Sequence, residues 1–133
     1  ATDGSGNLSW KGANFAQSNA NQVTATGDDT TFLSVDIETS GRPVQIIACG
    51  DANCTTVGGG WVRLRLYRDG VAIGKTVQAE TTVANCNIPF TLTFIDTPAA
   101  GEYTYTARVV DMAAGKTWQF SENGGSHMTI VEL

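Results

Sequence analysis

Apolar and polar residues alternate one for one in short runs along most of this chain, and a period of two belongs to a strand with one buried face. Between Thr31 and Glu38, Leu33, Val35 and Ile37 fall on one side while Ser34, Asp36 and Glu38 fall on the other. The same beat continues through Pro43–Ala48 and Trp61–Tyr67, where Val62, Leu64 and Leu66 oppose Arg63 and Arg65. It returns in Ile88–Ile95, with Phe90, Leu92 and Phe94 against Thr91 and Thr93, and again in Glu102–Val110, Lys116–Ser121 and His127–Leu133. Asp69 and Gly70 separate Trp61–Tyr67 from a further run, Val71–Val77. They predict a two-residue hairpin, because a primed turn needs the positive φ that glycine tolerates. No segment sustains the spacing of three and four that a helix requires.

Eight such runs, punctuated by turns, predict an all-β chain of two antiparallel sheets packed face to face. An immunoglobulin-like sandwich and a jelly roll both fit the pattern. The number of strands, and the lack of a Cys…Trp…Cys core signature, favour an antiparallel β-sandwich of jelly-roll type. Residues 1–20 differ, being rich in Gly, Ser and Asn with little apolar content. They read as a shaft-like linker that becomes ordered against a partner, and residues 21–133 read as the head domain.

Charge narrows the partners. Eight Lys and Arg against thirteen Asp and Glu give a net charge of −5 over 133 residues, which argues against nucleic acid, whose phosphates need a basic surface. Charged residues make up only 16% of the chain, so part of the surface is expected to lie under another copy or a neighbouring domain. No apolar run approaches the length of about 20 residues that spans a membrane, and no membrane insertion is expected. The chain opens on Ala1 rather than Met, which reads as a piece of a longer product. Cys49, Cys54 and Cys86 are an odd number without Cys-x-x-Cys spacing, so they form neither a disulfide framework nor a zinc site. Free, largely buried thiols are expected, with a Cys49–Cys54 bridge around an intervening loop as the alternative.

Catalytic groups are hard to assemble from these residues. His127 is the only histidine, and neither Ser121 nor Ser126 has the setting of a nucleophile elbow. Asp28, Asp29, Asp51, Asp69, Asp96 and Asp111 fall in or beside expected turns, where Asp is a standard turn former. No carboxylate pair across a sugar is legible. The expectation is a protein that is not an enzyme and has no cofactor or metal. Binding is better served. Trp61 follows Gly58–Gly60 and lies near Asp51 and Asn53, while Trp118 precedes a polar loop containing Glu122 and Asn123. Flat aromatic faces with amides and carboxylates nearby hold sugars, so these six are the candidate ligand-binding residues. Either tryptophan would equally serve as a plug at a sheet edge or subunit contact.

Two stretches carry a resemblance. Residues 2–10 (TDGSGNLSW) resemble the segment that joins shaft and head in phage tail fibres and related trimeric adhesins. Residues 94–108 (FIDTPAAGEYTYTAR) and 126–133 (SHMTIVEL) are similar to the ends of phage fibre tip domains, and the hairpin at 66–73 (LYRDGVAI) agrees with them. The resemblance implies a jelly roll shaped like tumour-necrosis-factor heads and assembled as a homotrimer. It implies a virion protein acting as a distal host-attachment knob, which recognises a bacterial surface polysaccharide or an outer-membrane protein. His127 and Thr129, on the last strand, are the residues it would bring to the trimer contact. A capsid decoration or head-fibre knob would share the same ending, and a monomeric carbohydrate-binding module is the alternative outside that family.

Overall fold

A computed structural model of the chain describes residues 14–19, 21–121 and 125–133. Its described strands are β1 (Phe15–Asn19), β2 (Val23–Ala25), β3 (Thr31–Thr39), β4 (Val44–Cys54), β5 (Gly60–Arg68), β6 (Val71–Thr81), β7 (Asn87–Asp96), β8 (Gly101–Met112), β9 (Trp118–Phe120) and β10 (His127–Glu132). All pair antiparallel, in two sheets. The second sheet runs β3-β8-β5-β6. In the first sheet, β7 occupies one edge of β4 from Val44 to Asn53. The other edge of β4 is therefore shared: β10 pairs with Val44–Cys49 and β9 with Ala52–Cys54. With β1 outside β10 and β2 outside β9, the first sheet is also four strands wide. The chain crosses repeatedly between the sheets, and the fold is the all-β jelly-roll sandwich that the alternation predicts.

All eight predicted runs are strands. Asp69 and Gly70 both have positive φ, 46° and 81°, so β5 and β6 meet in the primed turn expected of Asp-Gly. The inward sets bury as the pattern requires: Leu33, Val35 and Ile37 of β3, Val62, Leu64 and Leu66 of β5, and Tyr105, Ala107 and Val109 of β8. Across the gap, Phe32 of β3 stacks on Phe120 of β9 with centroids 4.2 Å apart, and Phe90 of β7 meets Phe32 edge-on at 5.5 Å. These rings tie one sheet to the other, at an estimated 0.5–1.5 kcal/mol or so per pair beyond simple burial.

Two carboxylates close one end of the sandwich. Asp96, the last residue of β7, points inward and accepts hydrogen bonds from Arg68 Nη1 at 2.7 Å and Tyr105 Oη at 2.8 Å, both on the second sheet. Its other oxygen accepts from the Thr97 amide at 3.0 Å and so starts the β7–β8 turn. Burial, and then the bond to Asp96, push the Tyr105 phenol well above its usual range. The hydrogen bond to Asp96 holds the Arg68 guanidinium above its ordinary value. Glu132, at the end of β10, accepts from the Ser40 hydroxyl, the Ser40 amide and the Asn14 side chain. These bonds, led by the Ser40 hydroxyl, hold its carboxyl below the usual range against the opposing effect of desolvation.

Three expectations change. The linker was expected to extend to residue 20, but its described part includes β1, which pairs with β10 from Phe15↔Val131 to Asn19↔His127. Its sequence, FAQSN, has too few apolar residues to announce a strand, and the pairing comes from the free edge of β10. Residues 1–13 lie outside the described residues. The expected loop between Cys49 and Cys54 is instead the continuation of β4. Five steps along the strand set their Cα atoms about 16 Å apart with the side chains on opposite faces, far beyond disulfide reach. The cysteines are free, but only Cys54 is fully buried, whereas Cys49 is half-buried and Cys86 exposed.

Asp96→Asn, which keeps the shape but loses the charge shared by Arg68 and Tyr105, should cost about 2–4 kcal/mol in urea unfolding. Glu132 makes a second prediction, on pH. Its folded value lies below the unfolded one of about 4.3, so its contribution is complete above that pH and is lost as pH falls through the folded value. Glu132→Gln should therefore lower stability at neutral pH and flatten the acid limb of the stability curve.

Candidate functional site

Because side chains alternate, the outer face of each sheet can be read from register. On the first sheet three rows cross β1, β10, β4 and β7: Phe15–Val131–Gln45–Ile95, Gln17–Thr129–Ile47–Thr93 and Asn19–His127–Cys49–Thr91. None of these residues is Asp, Glu, Lys or Arg, and Phe15, Ile95 and Ile47 are 58%, 53% and 37% exposed. A charge-free face with exposed aromatic and branched side chains has the chemistry of an interface core, where charges are depleted. His127 and Thr129 sit at its centre. In the third row the Cys49 thiol lies 3.3 Å from His127 Nε2. Sequence reasoning missed that contact, since the residues are 78 apart and only the β4–β10 register joins them.

The outer face of the second sheet is its opposite. At its centre Arg65 of β5 stands directly across from Arg108 of β8. Arg63 pairs with Asp111 at 3.0 Å and lies over the Trp61 ring at 4.6 Å, and Arg108 lies over Tyr67 at 4.9 Å. Toward the Asp69–Gly70 turn the face becomes acidic. Asp36, Glu38, Asp69 and Glu102 line a cleft of about 500 Å3 with Tyr103 and Thr104. Asp36 and Asp69 bind the Thr104 hydroxyl and amide there, at 2.7 and 2.8 Å.

The candidate sugar-binding residues do not converge. Trp61 lies half-buried on the outer face of the second sheet with Arg63 across its ring. Asp51 and Asn53 are in β4, in the first sheet, and Asn53 is buried between Asn87 of β7 and Gln119 of β9. Trp118, paired with Cys54, is fully buried and offers no ring face to a ligand. The alternation Trp118-Gln119-Phe120, within the predicted run Lys116–Ser121, turns it to the core, whereas the neighbouring polar residues had made it a candidate for the surface. Glu122 and Asn123 lie outside the described residues. Nearby, Gly50 has no room for a side chain, because a Cβ there would overlap Ser126. Among the described residues no group of three or more His, Cys, Asp and Glu side chains is placed to hold a metal.

No family model matches this chain, and no curated protein matches it. Solved structures do. The chain is similar to an Eiger TNF from S. frugiperda, with a TM-score of 0.55 at 13% identity over 92% of this chain and 94% of that one. It is similar to the C-terminal domain of EclA, described as a sugar-binding protein, with a TM-score of 0.53 at 12% identity over 98% of this chain and 86% of that one. It also matches a portion, 20%, of the insecticidal delta-endotoxin Cry8Ea1 of Bacillus thuringiensis, with a TM-score of 0.51 at 6% identity over 85% of this chain. At these identities the likeness is one of fold, and it places the sandwich among TNF-like jelly rolls.

The tryptophans separate by experiment. Trp118→Ala, which empties a core position, should cost about 3–5 kcal/mol in denaturant unfolding. Trp61→Ala, half-exposed on the sheet surface, should change stability by less than about 1 kcal/mol.

Proposed function

We propose that this chain is the distal receptor-binding knob of a homotrimeric phage fibre, a non-enzymatic virion protein that attaches to a polysaccharide or outer-membrane protein of the host surface. The observation that carries this reading is the charge-free area formed by the three rows across β1, β10, β4 and β7 on the outer face of the first sheet. A face with Phe15, Ile47, Ile95 and Val131 turned outward and no fixed charge is costly to leave in water and inexpensive to cover with an identical face or edge. The TNF-like fold and the order of the fibre-tip motifs along the chain support it further. Three knobs held rigidly on one axis would bind by avidity, so that a weak site on each copy suffices. A second reading has its own observation: the likeness to a sugar-binding domain supports a carbohydrate-binding module that works as a monomer. A capsid decoration knob differs from the first reading only in its target.

Light scattering on the purified chain should give about three times the 14.0 kDa chain mass. Ile47→Asp and Val131→Asp, which put a charge on that face, should reduce it to one chain with an unchanged circular dichroism spectrum. A wild-type mass of one chain overturns the trimer and leaves the monomeric module. Adsorption of labelled protein to host cells, against undecorated capsids, separates attachment from decoration.

A further inference from the structure

We propose that the centre of the outer face of the second sheet, Arg65 with Arg108, binds an isolated carboxylate of an acidic surface saccharide. The inference deepens the receptor-binding reading by naming the ligand class and the face that takes it. It begins from an imbalance. Arg63 and Arg68, on the same strand as Arg65, have carboxylate partners in Asp111 and Asp96. Among the described residues, Arg65 and Arg108 have none, and the register sets them directly opposite each other. Like charges directly opposite destabilise a sheet, yet here two arginines occupy opposite register positions, with Arg65 reaching toward β6 and Arg108 toward Tyr67, on a protein whose net charge is −5. An anion bound by their terminal nitrogens offsets this like charge.

Both side chains are already held in place. Arg65 donates from Nε to the Ile73 carbonyl at 3.3 Å, and Arg108 donates from Nε to the Thr106 hydroxyl at 2.9 Å with its guanidinium over Tyr67 at 4.9 Å. Fixing Nε leaves the fork of terminal nitrogens as the donor set, the geometry that pairs bidentately with a carboxylate. Little side-chain entropy then remains to be lost on binding.

The surroundings limit the ligand. Four residues along β8 from Arg108, about 13 Å away, the acidic cleft of Asp36, Asp69 and Glu102 begins. That cleft repels a polymer charged at every unit, such as nucleic acid or a polyuronate. Its carboxylates accept hydrogen bonds from sugar hydroxyls, however. The face therefore fits a saccharide in which one acidic sugar is flanked by neutral ones.

Calorimetric titration of the full chain with gellan oligosaccharide, which carries isolated glucuronate among neutral sugars, tests this. Binding is expected, with affinity falling about tenfold or more in Arg65→Gln/Arg108→Gln and falling less in the double Lys variant, which keeps charge but loses the fork. The melting of each variant is measured on the same samples, and a loss of binding by a Gln variant that is still folded at the titration temperature cannot be assigned to unfolding. No binding of gellan, equal binding of neutral dextran, equal or tighter binding of dextran sulfate or oligogalacturonate, or an unchanged affinity in the Gln variant overturns the proposal. Light scattering on the same samples keeps the two readings apart. A trimer that ignores gellan overturns this inference alone, whereas a monomer that binds it overturns the trimeric knob alone.

Discussion

Strand β4 has no free edge, and the first sheet depends on that. With β7 along one side and β10 and β9 end to end along the other, every strand of this sheet is paired to β4 directly or through one neighbour. The arrangement pairs ten of the eleven residues of β4 on the β7 side and nine on the other, so little of its backbone is left without a strand partner. It also sets the rows of the outer face. His127 stands beside Cys49, and Phe15 reaches the same surface as Ile95, because β10 and β7 are both registered to β4.

The stretches that resemble fibre tips have physical work within the monomer. In the turn after β7, Asp96 gathers Arg68, Tyr105 and the Thr97 amide, and Tyr103 donates to the Ala99 carbonyl at 2.8 Å, so the run from Asp96 to Tyr105 closes one end of the sandwich. In the ending, Glu132 gathers Ser40 and Asn14, and the Leu133 amide donates to the Pro43 carbonyl at 2.8 Å. These motifs specify how a jelly roll of this kind is closed. They carry no ligand chemistry, which is why a resemblance built on them speaks to architecture before it speaks to a receptor.

The two outer faces divide the surface by chemistry. Covering the three rows across β1, β10, β4 and β7 of the first sheet removes apolar area from water at little electrostatic cost, since none of their residues is Asp, Glu, Lys or Arg. Covering the second would bury Arg63, Arg65, Arg108, Asp36 and Glu102 together, and desolvation of that many charges is a heavy penalty. Under the proposed assembly, the first face is therefore inside and the second faces the partner.

Alternation by itself determined the strands, the hairpin at Asp69–Gly70 and the inward residues, because a period of two reports burial on a single strand without reference to its neighbours. It was silent on β1, whose five residues are ordered by the edge of β10 rather than by their own apolar content. It predicted a strand over Lys116–Ser121 but left open whether Trp118 faced the core or a ligand, and pairing against Cys54 buries it entirely. Pairings such as Cys49 with His127, Arg65 with Arg108 and Arg68 with Asp96 join residues 78, 43 and 28 positions apart. Such pairings depend on which strand lies beside which and in what register, and these the tertiary structure alone decided. The sandwich could be read from one strand at a time, but its faces exist only once the strands are side by side.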